Sequence, residues 1–192
     1  WRPKIAYVMG AGQIGLLATL ILRLKGLQVY TLARRPAPRL NAEIVEGYGA
    51  TYVSTENQSI SQLAGEVGKA DLIVEATGSS WIAFESMKVL GHNGVLVWHS
   101  VTGGDKQVEV PADQLNIEFV LGNKLLLGSV NANREHFESG IRDLALGEAM
   151  YPGVTEKILT TPIDGLENYS DMMRSLVEDR DALKVFVNVS EG

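Results

Sequence analysis

The sequence predicts an α/β fold, a doubly wound, six-stranded parallel sheet followed by a C-terminal strand–helix–strand tail. Two observations predict it. Short β-rich runs alternate with amphipathic stretches over about the first 130 residues, and the apolar runs are continuous rather than alternating. Strands separated by helices at this spacing form βαβ units with right-handed crossovers, and continuous apolar strands suit a sheet that is covered on both faces.

The predicted elements follow one another in alternation along the chain. Buried runs predict strands at 4–9, 28–32, 51–53, 71–75, 94–99 and 124–130, and amphipathic stretches predict helices at 13–25, 39–48, 59–68, 81–90 and 111–121. Gly26 suits the position after the first helix, and Pro111 suits the first turn of the last one because its fixed φ is already helical. Val108-Glu109-Val110 predicts a short edge strand.

The last third of the chain does not continue this rhythm. Asn133 can cap a helix on which Phe137, Ile141 and Leu144 recur at helical spacing. A strand at 157–163, an amphipathic helix from about 166 to 176 and a strand at 183–189 follow. We therefore divide the chain into a sheet domain at 1–150 and a C-terminal tail at 151–192.

The composition excludes several function classes. The chain has 192 residues, 17 Lys+Arg against 23 Asp+Glu, a formal net charge of -6 and no cysteine. This charge argues against nucleic-acid binding, and the lack of thiols excludes disulfides, iron–sulfur clusters and thiolate zinc sites. His92, His99 and His136 lack metal-ligand spacing, so we expect no metal site in this chain. The longest apolar run is too short to span a bilayer and no leader is visible, so we expect a soluble, cytoplasmic protein without a membrane partner.

The most informative motif is the turn between the first strand and the first helix, Gly10-Ala11-Gly12-Gln13-Ile14-Gly15. The first glycine of such a turn makes the tight bend, the second lets the backbone approach a pyrophosphate, and the third lets the helix pack closely on the strand. Gln13 and Ile14 open the helix, whose N-terminus offers free N–H groups to phosphates. The turn therefore predicts a Rossmann-type, dinucleotide-binding domain over 1–150.

The end of the second strand, Ala33-Arg34-Arg35, indicates which dinucleotide binds. An NAD site normally has an acidic residue there, which accepts hydrogen bonds from the adenine ribose. Two arginines suit the 2′-phosphate of NADP, because guanidinium groups match phosphate geometry. A solvated basic turn is the alternative. We predict an NADP site, with NAD still possible.

Two further segments follow strands and should face the same ligand. Thr77 and Gly78 follow the fourth strand, and Ser100-Val101-Thr102 follows the fifth. Open α/β sheets bind ligands at the carboxyl ends of their strands, and small residues there admit a cofactor to the backbone. Trp81 and Trp98 are interpreted as packing residues.

The sequence resembles the archaeal-type glucose dehydrogenases, which are zinc-dependent medium-chain dehydrogenase/reductases. The resemblance covers essentially the whole chain and is most specific at 123–137, an Asn-Lys-(apolar)-Gly-Ser-Val-Asn run followed by His-Phe. We expect Asn131, after the sixth strand, to face the nicotinamide and the sugar, with Leu127 and Ser129 nearby, because strand alternation places 127, 129 and 131 on one side of the strand. One departure is that some relatives have a histidine before the Asn-Lys pair, where this chain has Leu121-Gly122.

The resemblance also implies the function of the whole enzyme. Family members oxidise aldoses such as glucose at C1 and pass hydride to NADP or NAD. A GroES-like catalytic domain carries the zinc and precedes the nucleotide-binding domain. We expect that domain to lie before Trp1, the tail to pack on it, the chain alone to be inactive, and the enzyme to be a homo-oligomer.

Two other function classes share a glycine-rich turn. Nucleotide-sensing regulatory modules and methyltransferases both normally carry an acidic residue after the second strand, which this chain lacks. Both remain alternatives at this stage, and the sensing module is the stronger one.

Overall fold

A computed structural model describes residues 1–179 and 181–189. Its main sheet is parallel and six-stranded, in the order β3-β2-β1-β4-β5-β6. These strands are β1 (Ile5–Met9), β2 (Gln28–Ala33), β3 (Thr51–Ser54), β4 (Ala70–Glu75), β5 (Leu90–Trp98) and β6 (Leu125–Gly128). The helices are α1 (Gln13–Leu24), α2 (Leu40–Gly47), α3 (Ile60–Val67), α4 (Ser80–Lys88), α5 (Ala112–Leu121), α6 (Arg134–Met150) and α7 (Tyr169–Glu178). The predicted doubly wound sheet is confirmed.

The two faces of the sheet bury separate apolar clusters. On β1, Ala6 and Val8 face one cluster, which contains residues of α1 and α2, and Tyr7 and Met9 face the other, which contains residues of α3. This division follows from the two-residue period of a strand. Because both faces are covered, β1 reads as a continuous apolar run.

The strand order reverses between β1 and β4, which are neighbours in the sheet. A crevice opens at such a point, because the connections leaving the two strands go to opposite faces. The carboxyl ends of β1, β2 and β4, at Met9, Ala33 and Glu75, border this crevice. The fold therefore brings three of the predicted segments to one place.

The end of α1 and the start of α6 lie at the capping residues that the sequence predicts, Gly26 and Asn133. Gly26 has a φ of 81° and its N–H bonds to the carbonyl of Arg23, which ends α1. The Asn133 side chain accepts a hydrogen bond from the N–H of His136 at 2.9 Å, and the His136 ring accepts one from the N–H of Asn133. This reciprocal pair begins α6 at the predicted residue.

Four predicted strands differ clearly from the structure. The fifth strand, predicted at 94–99, begins earlier, at Leu90, because the helix before it ends at Lys88. Residues 108–110 form no strand, because β6 already takes the edge of β5 that lies opposite β4. The predicted strand at 157–163 is a 3-10 turn, Thr155–Ile158, followed by β7 (Thr161–Asp164). The turn buries Ile158 in the core below α1 and α2, and this packing outweighs strand propensity. The strand at 124–130 ends earlier, at Gly128.

The end of the tail forms a second, two-stranded sheet within the described residues. β7 pairs in parallel with β8 (Val185–Asn188), and α7 connects them. Helix α7 has no buried residue, and Met173 and Leu176 on it are more than half exposed. No helix in the described part of the chain is both long enough and apolar enough to cross a membrane.

Candidate functional site

The glycine turn has the geometry that the sequence predicts. Gly10 has a φ of 108° and donates its N–H to the carbonyl of Leu32 at 2.8 Å, which ties the turn to β2. A Cβ atom on Gly10 would lie 2.8 Å from the carbonyl oxygen of Ala76, and one on Gly15 would lie 1.9 Å from the carbonyl oxygen of Gly10. Side chains are therefore excluded at both positions.

Gly12 differs from these two glycines because the space beside it is open. A Cβ atom on Gly12 would meet no atom within 4 Å, and its φ of -80° is ordinary for any residue. Gly12 caps α1 without a side-chain hydrogen bond, and the first turn of α1 contains no acidic residue. Gln13 and Ile14 in that turn are exposed. The helix N-terminus is thus free to receive an anion, which is the arrangement that dinucleotide sites use.

The arginines after β2 face a cavity that also reaches the glycine turn. We call it the arginine cavity; its volume is about 370 Å³ and its lining includes Gly12, Gln13, Arg34, Arg35, Arg39 and Tyr52. Ala33, the last residue of β2, also lines it, and no residue of β2 is acidic. Arg34 is 77% exposed and its Nε lies 4.0 Å from a carboxylate oxygen of Glu56.

Arg39 was not among the sequence-predicted site residues. Its Nε donates to the side-chain oxygen of Asn41 at 3.1 Å, and the Asn41 amide donates to the carbonyl of Ala11 at 2.6 Å. Burial raises the pKa of Tyr52 in the same cavity, while the positive charge of Arg39 lowers it and the Glu56 carboxylate raises it. No local pattern around Arg39 indicates this position, because the turn that separates it from Arg35 has no periodicity.

A larger cavity shares Gly12, Ala33 and Arg34 with the arginine cavity. We call it the central cavity; its volume is about 680 Å³ and its lining includes Gly10, Gly12, Ala33, Arg34, Ile60 and Thr77. Ile60 is 6% exposed, so the cavity has an apolar wall beside the polar turn. An apolar slot next to a phosphate-binding turn suits a flat base such as adenine.

The carboxyl ends of β4 and β5 are joined by Glu75, which is 1% exposed. One of its carboxylate oxygens accepts hydrogen bonds from the Thr77 N–H at 2.7 Å and the Thr77 hydroxyl at 2.5 Å. The other accepts a hydrogen bond from the Ser100 hydroxyl. Glu75 therefore holds two of the predicted site segments together. The signal that could have found it is a carboxylate at the end of an apolar strand, where burial requires a partner.

The loop after β5 borders a third cavity. We call it the loop cavity; its volume is about 500 Å³ and its lining includes Gly78, Ser80, Trp81, Thr102, Lys106 and Glu109. The Ser80 hydroxyl lies 3.2 Å from that of Thr102, which joins the start of α4 to the loop. Val101 is 87% exposed and lines none of the three cavities.

The interpretation of Trp81 as a packing residue is wrong. Its side chain is 57% exposed and lines both the central cavity and the loop cavity. Trp81 lies in the first turn of α4, beside the carboxyl end of β4, and its spacing in the sequence does not reveal that it lines a cavity. Trp98 does pack, against the ring of Phe84 at a centroid distance of 5.4 Å.

The predicted residues in and after β6 line none of these cavities. Leu127 is half exposed and pairs with Val97 in the sheet, and the N–H of Ser129 donates to the carbonyl of Trp98 at 3.0 Å. Asn131 is exposed and has a φ of 66°. The expectation that strand alternation places 127, 129 and 131 on one side is wrong for Asn131, because β6 ends at Gly128.

The structure therefore brings together one part of the predicted site. The residues that line the central or arginine cavity are Gly10, Gly12, Gln13, Ala33, Arg34, Arg35 and Thr77. Gly78 and Thr102 line the loop cavity, and Ser100 is linked to the site through Glu75. Ile14, Val101, Leu127, Ser129 and Asn131 line none of the three cavities. None of the described residues form a group of three or more His, Asp or Glu side chains that could hold a metal ion.

Comparisons with known proteins agree with this geometry. Residues 1–189 match the family described as "Glucose dehydrogenase C-terminus". A glucose 1-dehydrogenase from Methanocella arvoryzae is 39% identical over 189 residues, which is 98% of this chain and 52% of that protein. One from Thermoproteus tenax is 33% identical over 187 residues, which is 97% of this chain and 51% of that protein. The chain thus spans about half the length of the curated relatives that it matches.

Solved structures of dehydrogenases also match this chain over about half of their length. The glucose dehydrogenase of Haloferax mediterranei in complex with NADP, Zn and gluconolactone superposes with a TM-score of 0.86 at 31% identity, covering 100% of this chain and 52% of that one. An alcohol dehydrogenase from Thermotoga maritima superposes with a TM-score of 0.81 at 23% identity, covering 97% of this chain and 50% of that one. This second similarity is one of fold.

Proposed function

Because the chain belongs to the glucose dehydrogenase C-terminus family, we propose that it is the NADP-binding part of an aldose 1-dehydrogenase. In that enzyme hydride passes from C1 of a sugar such as glucose to NADP, with NAD as a possible second cofactor. One observation carries the proposal. The glycine turn, whose helix N-terminus is open at Gly12, shares a cavity with Arg34 and Arg35, and the described end of β2 has no acidic residue.

The residues present fit the cofactor. The backbone N–H groups at the start of α1 and the space beside Gly12 suit the pyrophosphate. Ile60 and the rest of the central cavity suit adenine, and Arg34 and Arg35 suit the 2′-phosphate. Glu75 holds the Thr77 and Ser100 segments in place for the nicotinamide end. When bound, NADP supplies the acceptor for hydride.

The zinc of the Haloferax mediterranei structure has no counterpart set of ligands among the described residues of this chain. We place the zinc in a GroES-like catalytic domain that precedes residues 1–150. A dehydrogenase of this class needs the metal to polarise the alcohol oxygen while its proton leaves. The 192-residue chain alone should therefore form no NADPH from glucose, and aldose-dependent NADPH formation by the purified chain would contradict this assignment.

The same catalytic domain is the proposed partner of the tail at 151–192. Helix α7 buries none of its residues, and apolar side chains such as Met173 and Leu176 are more than half exposed on it. Phe137 and Ile141 on α6 are also exposed. Apolar surface of this kind marks an interaction site. Limited proteolysis of the full-length enzyme and of the chain should show α7 protected only in the former.

We also propose a homo-oligomer that pairs at β6, one of the two edge strands of the main sheet. Leu125 and Leu127 on this strand are about half exposed. An unpaired edge with apolar side chains is a template for a second copy. A strictly monomeric species in sedimentation at high concentration would contradict this. The cytoplasmic location expected from the sequence stays a prediction, which imaging of the tagged protein tests.

Calorimetric titration of the chain with NADP, NAD and S-adenosylmethionine tests the cofactor. We expect NADP to bind about ten- to a hundredfold more tightly than NAD, since a hydrogen bond to a charged group contributes about 1.5–3 kcal/mol. The double variant Arg34→Ala/Arg35→Ala should lose this preference while its NAD affinity stays nearly constant. The matched control is Arg134→Ala/Arg142→Ala, which removes two exposed charges from α6. Equal wild-type affinity for NADP and NAD, or tighter binding of S-adenosylmethionine, would overturn the proposal.

A further inference from the structure

Two charged residues have no place in the function proposed above, namely Arg39, which lines the arginine cavity, and Asp181, which precedes the lining residue Ala182 in the chain. One carboxylate oxygen of Asp181, Oδ1, lies 3.3 Å from the guanidinium of Arg35 and 3.5 Å from that of Arg39. Asp181 precedes β8 in the tail, 142 residues along the chain from Arg39. A single anionic oxygen is thus held between the guanidinium groups of two arginines that line a cavity reaching the glycine turn.

This carboxylate oxygen marks a position that suits an oxygen of a phosphate group. Guanidinium groups bind carboxylate and phosphate oxygens in the same planar geometry. The Asp181 side chain is 78% exposed, so its ion pairs are screened by water and shift an equilibrium by less than about fivefold. A phosphate dianion brings more charge and more acceptor oxygens, so it can displace this carboxylate.

Arg39 is better prepared for such a ligand than Arg34. The Arg39 side chain is 23% exposed and its Nε is fixed by Asn41, which in turn bonds to the carbonyl of Ala11 in the glycine turn. The Arg34 side chain is 77% exposed and pairs with Glu56 at 4.0 Å. A side chain that is already ordered loses less conformational entropy when a ligand binds.

We propose that Arg39 is a specificity-determining residue for the 2′-phosphate of NADP, and that Asp181 occupies its guanidinium until the phosphate replaces it. The inference rests on the proposed function, since it assumes an adenosine ribose at the end of β2. It adds a third cation to the pair that the sequence predicts. It also gives the tail a role in the cofactor site.

The test uses two probes that lack the nicotinamide, adenosine 2′,5′-bisphosphate and 5′-AMP, titrated calorimetrically into the chain. The ratio of their dissociation constants measures the contribution of the 2′-phosphate alone. Arg39→Leu should lower the preference for the bisphosphate about tenfold, and Arg39→Lys should lower it less, because a charge remains but the planar fork is lost. Asp181→Asn should bind the bisphosphate about threefold more tightly, with no change for 5′-AMP. Arg142→Leu, an exposed arginine on α6, is the matched control and should change neither affinity.

Each outcome bears on one part of the inference. An unchanged ratio in Arg39→Leu overturns the role of Arg39, and an unchanged bisphosphate affinity in Asp181→Asn overturns that of Asp181. The latter variant alters an exposed side chain, so the test does not depend on a change inside the fold. If the wild-type chain binds both probes equally, the proposed NADP preference fails. If the wild type prefers the bisphosphate and only Arg34→Ala/Arg35→Ala loses that preference, the proposed function stands and the inference about Arg39 fails.

Discussion

Replacing Glu75 tests whether one buried carboxylate organises the site edge. Glu75 is 1% exposed and accepts three hydrogen bonds from Thr77 and Ser100. In Glu75→Gln, the amide oxygen can still accept both bonds from Thr77 and the amide nitrogen can donate to the Ser100 hydroxyl. Each bond then changes from about 1.5–3 to about 0.5–1.5 kcal/mol, and part of that loss is offset because a neutral group costs less to bury. We expect the free energy of unfolding to fall by about 1–2 kcal/mol.

Glu75→Ala should be more damaging because it leaves the donors of Thr77 and Ser100 without an acceptor and opens a cavity. The expected loss is about 3–5 kcal/mol. Urea unfolding measures both changes, and amide hydrogen exchange at Thr77 should accelerate in Glu75→Gln because its N–H loses a charged acceptor. The matched control is Glu46→Gln, an exposed carboxylate on α2, which should change the stability by less than about 0.5 kcal/mol.

NADP binding separates this positioning role from a purely stabilising one. If Glu75 holds the Thr77 and Ser100 segments for the cofactor, Glu75→Gln should bind NADP several-fold more weakly at a temperature where it is fully folded. A Glu75→Gln variant as stable as the wild type, with unchanged exchange at Thr77, would refute the reasoning. So would a Glu75→Ala variant no less stable than Glu75→Gln.

Three further predictions follow from the described geometry. Gly12→Val should fold with an unchanged urea midpoint, because a side chain there meets open space in the fold. It should give no heat on titration with NADP, because the same side chain fills the space for the phosphate. Normal NADP binding would contradict this. The hydrogen bond from Lys124 lowers the pKa of Glu118 from 4.5 to about 2. This pair should therefore stabilise the fold above about pH 4.5 and lose its contribution as the pH falls through about 2. Urea unfolding at a series of pH values measures this acid dependence of stability. Glu118→Gln should lack this part of it. In the full-length enzyme Asn131→Gly, which keeps the left-handed backbone and removes the side chain, should lower kcat/KM, and unchanged kinetics for sugar and cofactor would remove Asn131 from the site.

The fold could be predicted because its signals are local. Helix α1 follows the glycine turn, β4 is an apolar run, and Asn133 caps α6, and each of these depends on neighbouring residues. The order of strands and helices then restricts the topology, because parallel crossovers are right-handed. The predicted strands at 108–110 and 157–163 differ because strand formation also needs a free neighbouring edge and a place for each side chain in the core.

The sequence by itself determined the parallel sheet, the phosphate-binding turn and the basic end of β2. Only the tertiary structure decided that Arg39 and Asp181, 142 residues apart, form an ion pair, and that Trp81 lines the central cavity. Local periodicity specifies which face of an element is apolar, but not which distant charged residue lies opposite it. That choice depends on how the tail packs on α1 and α2, where Leu183 and Ile158 enter the core, and burying these side chains sets the position of Asp181.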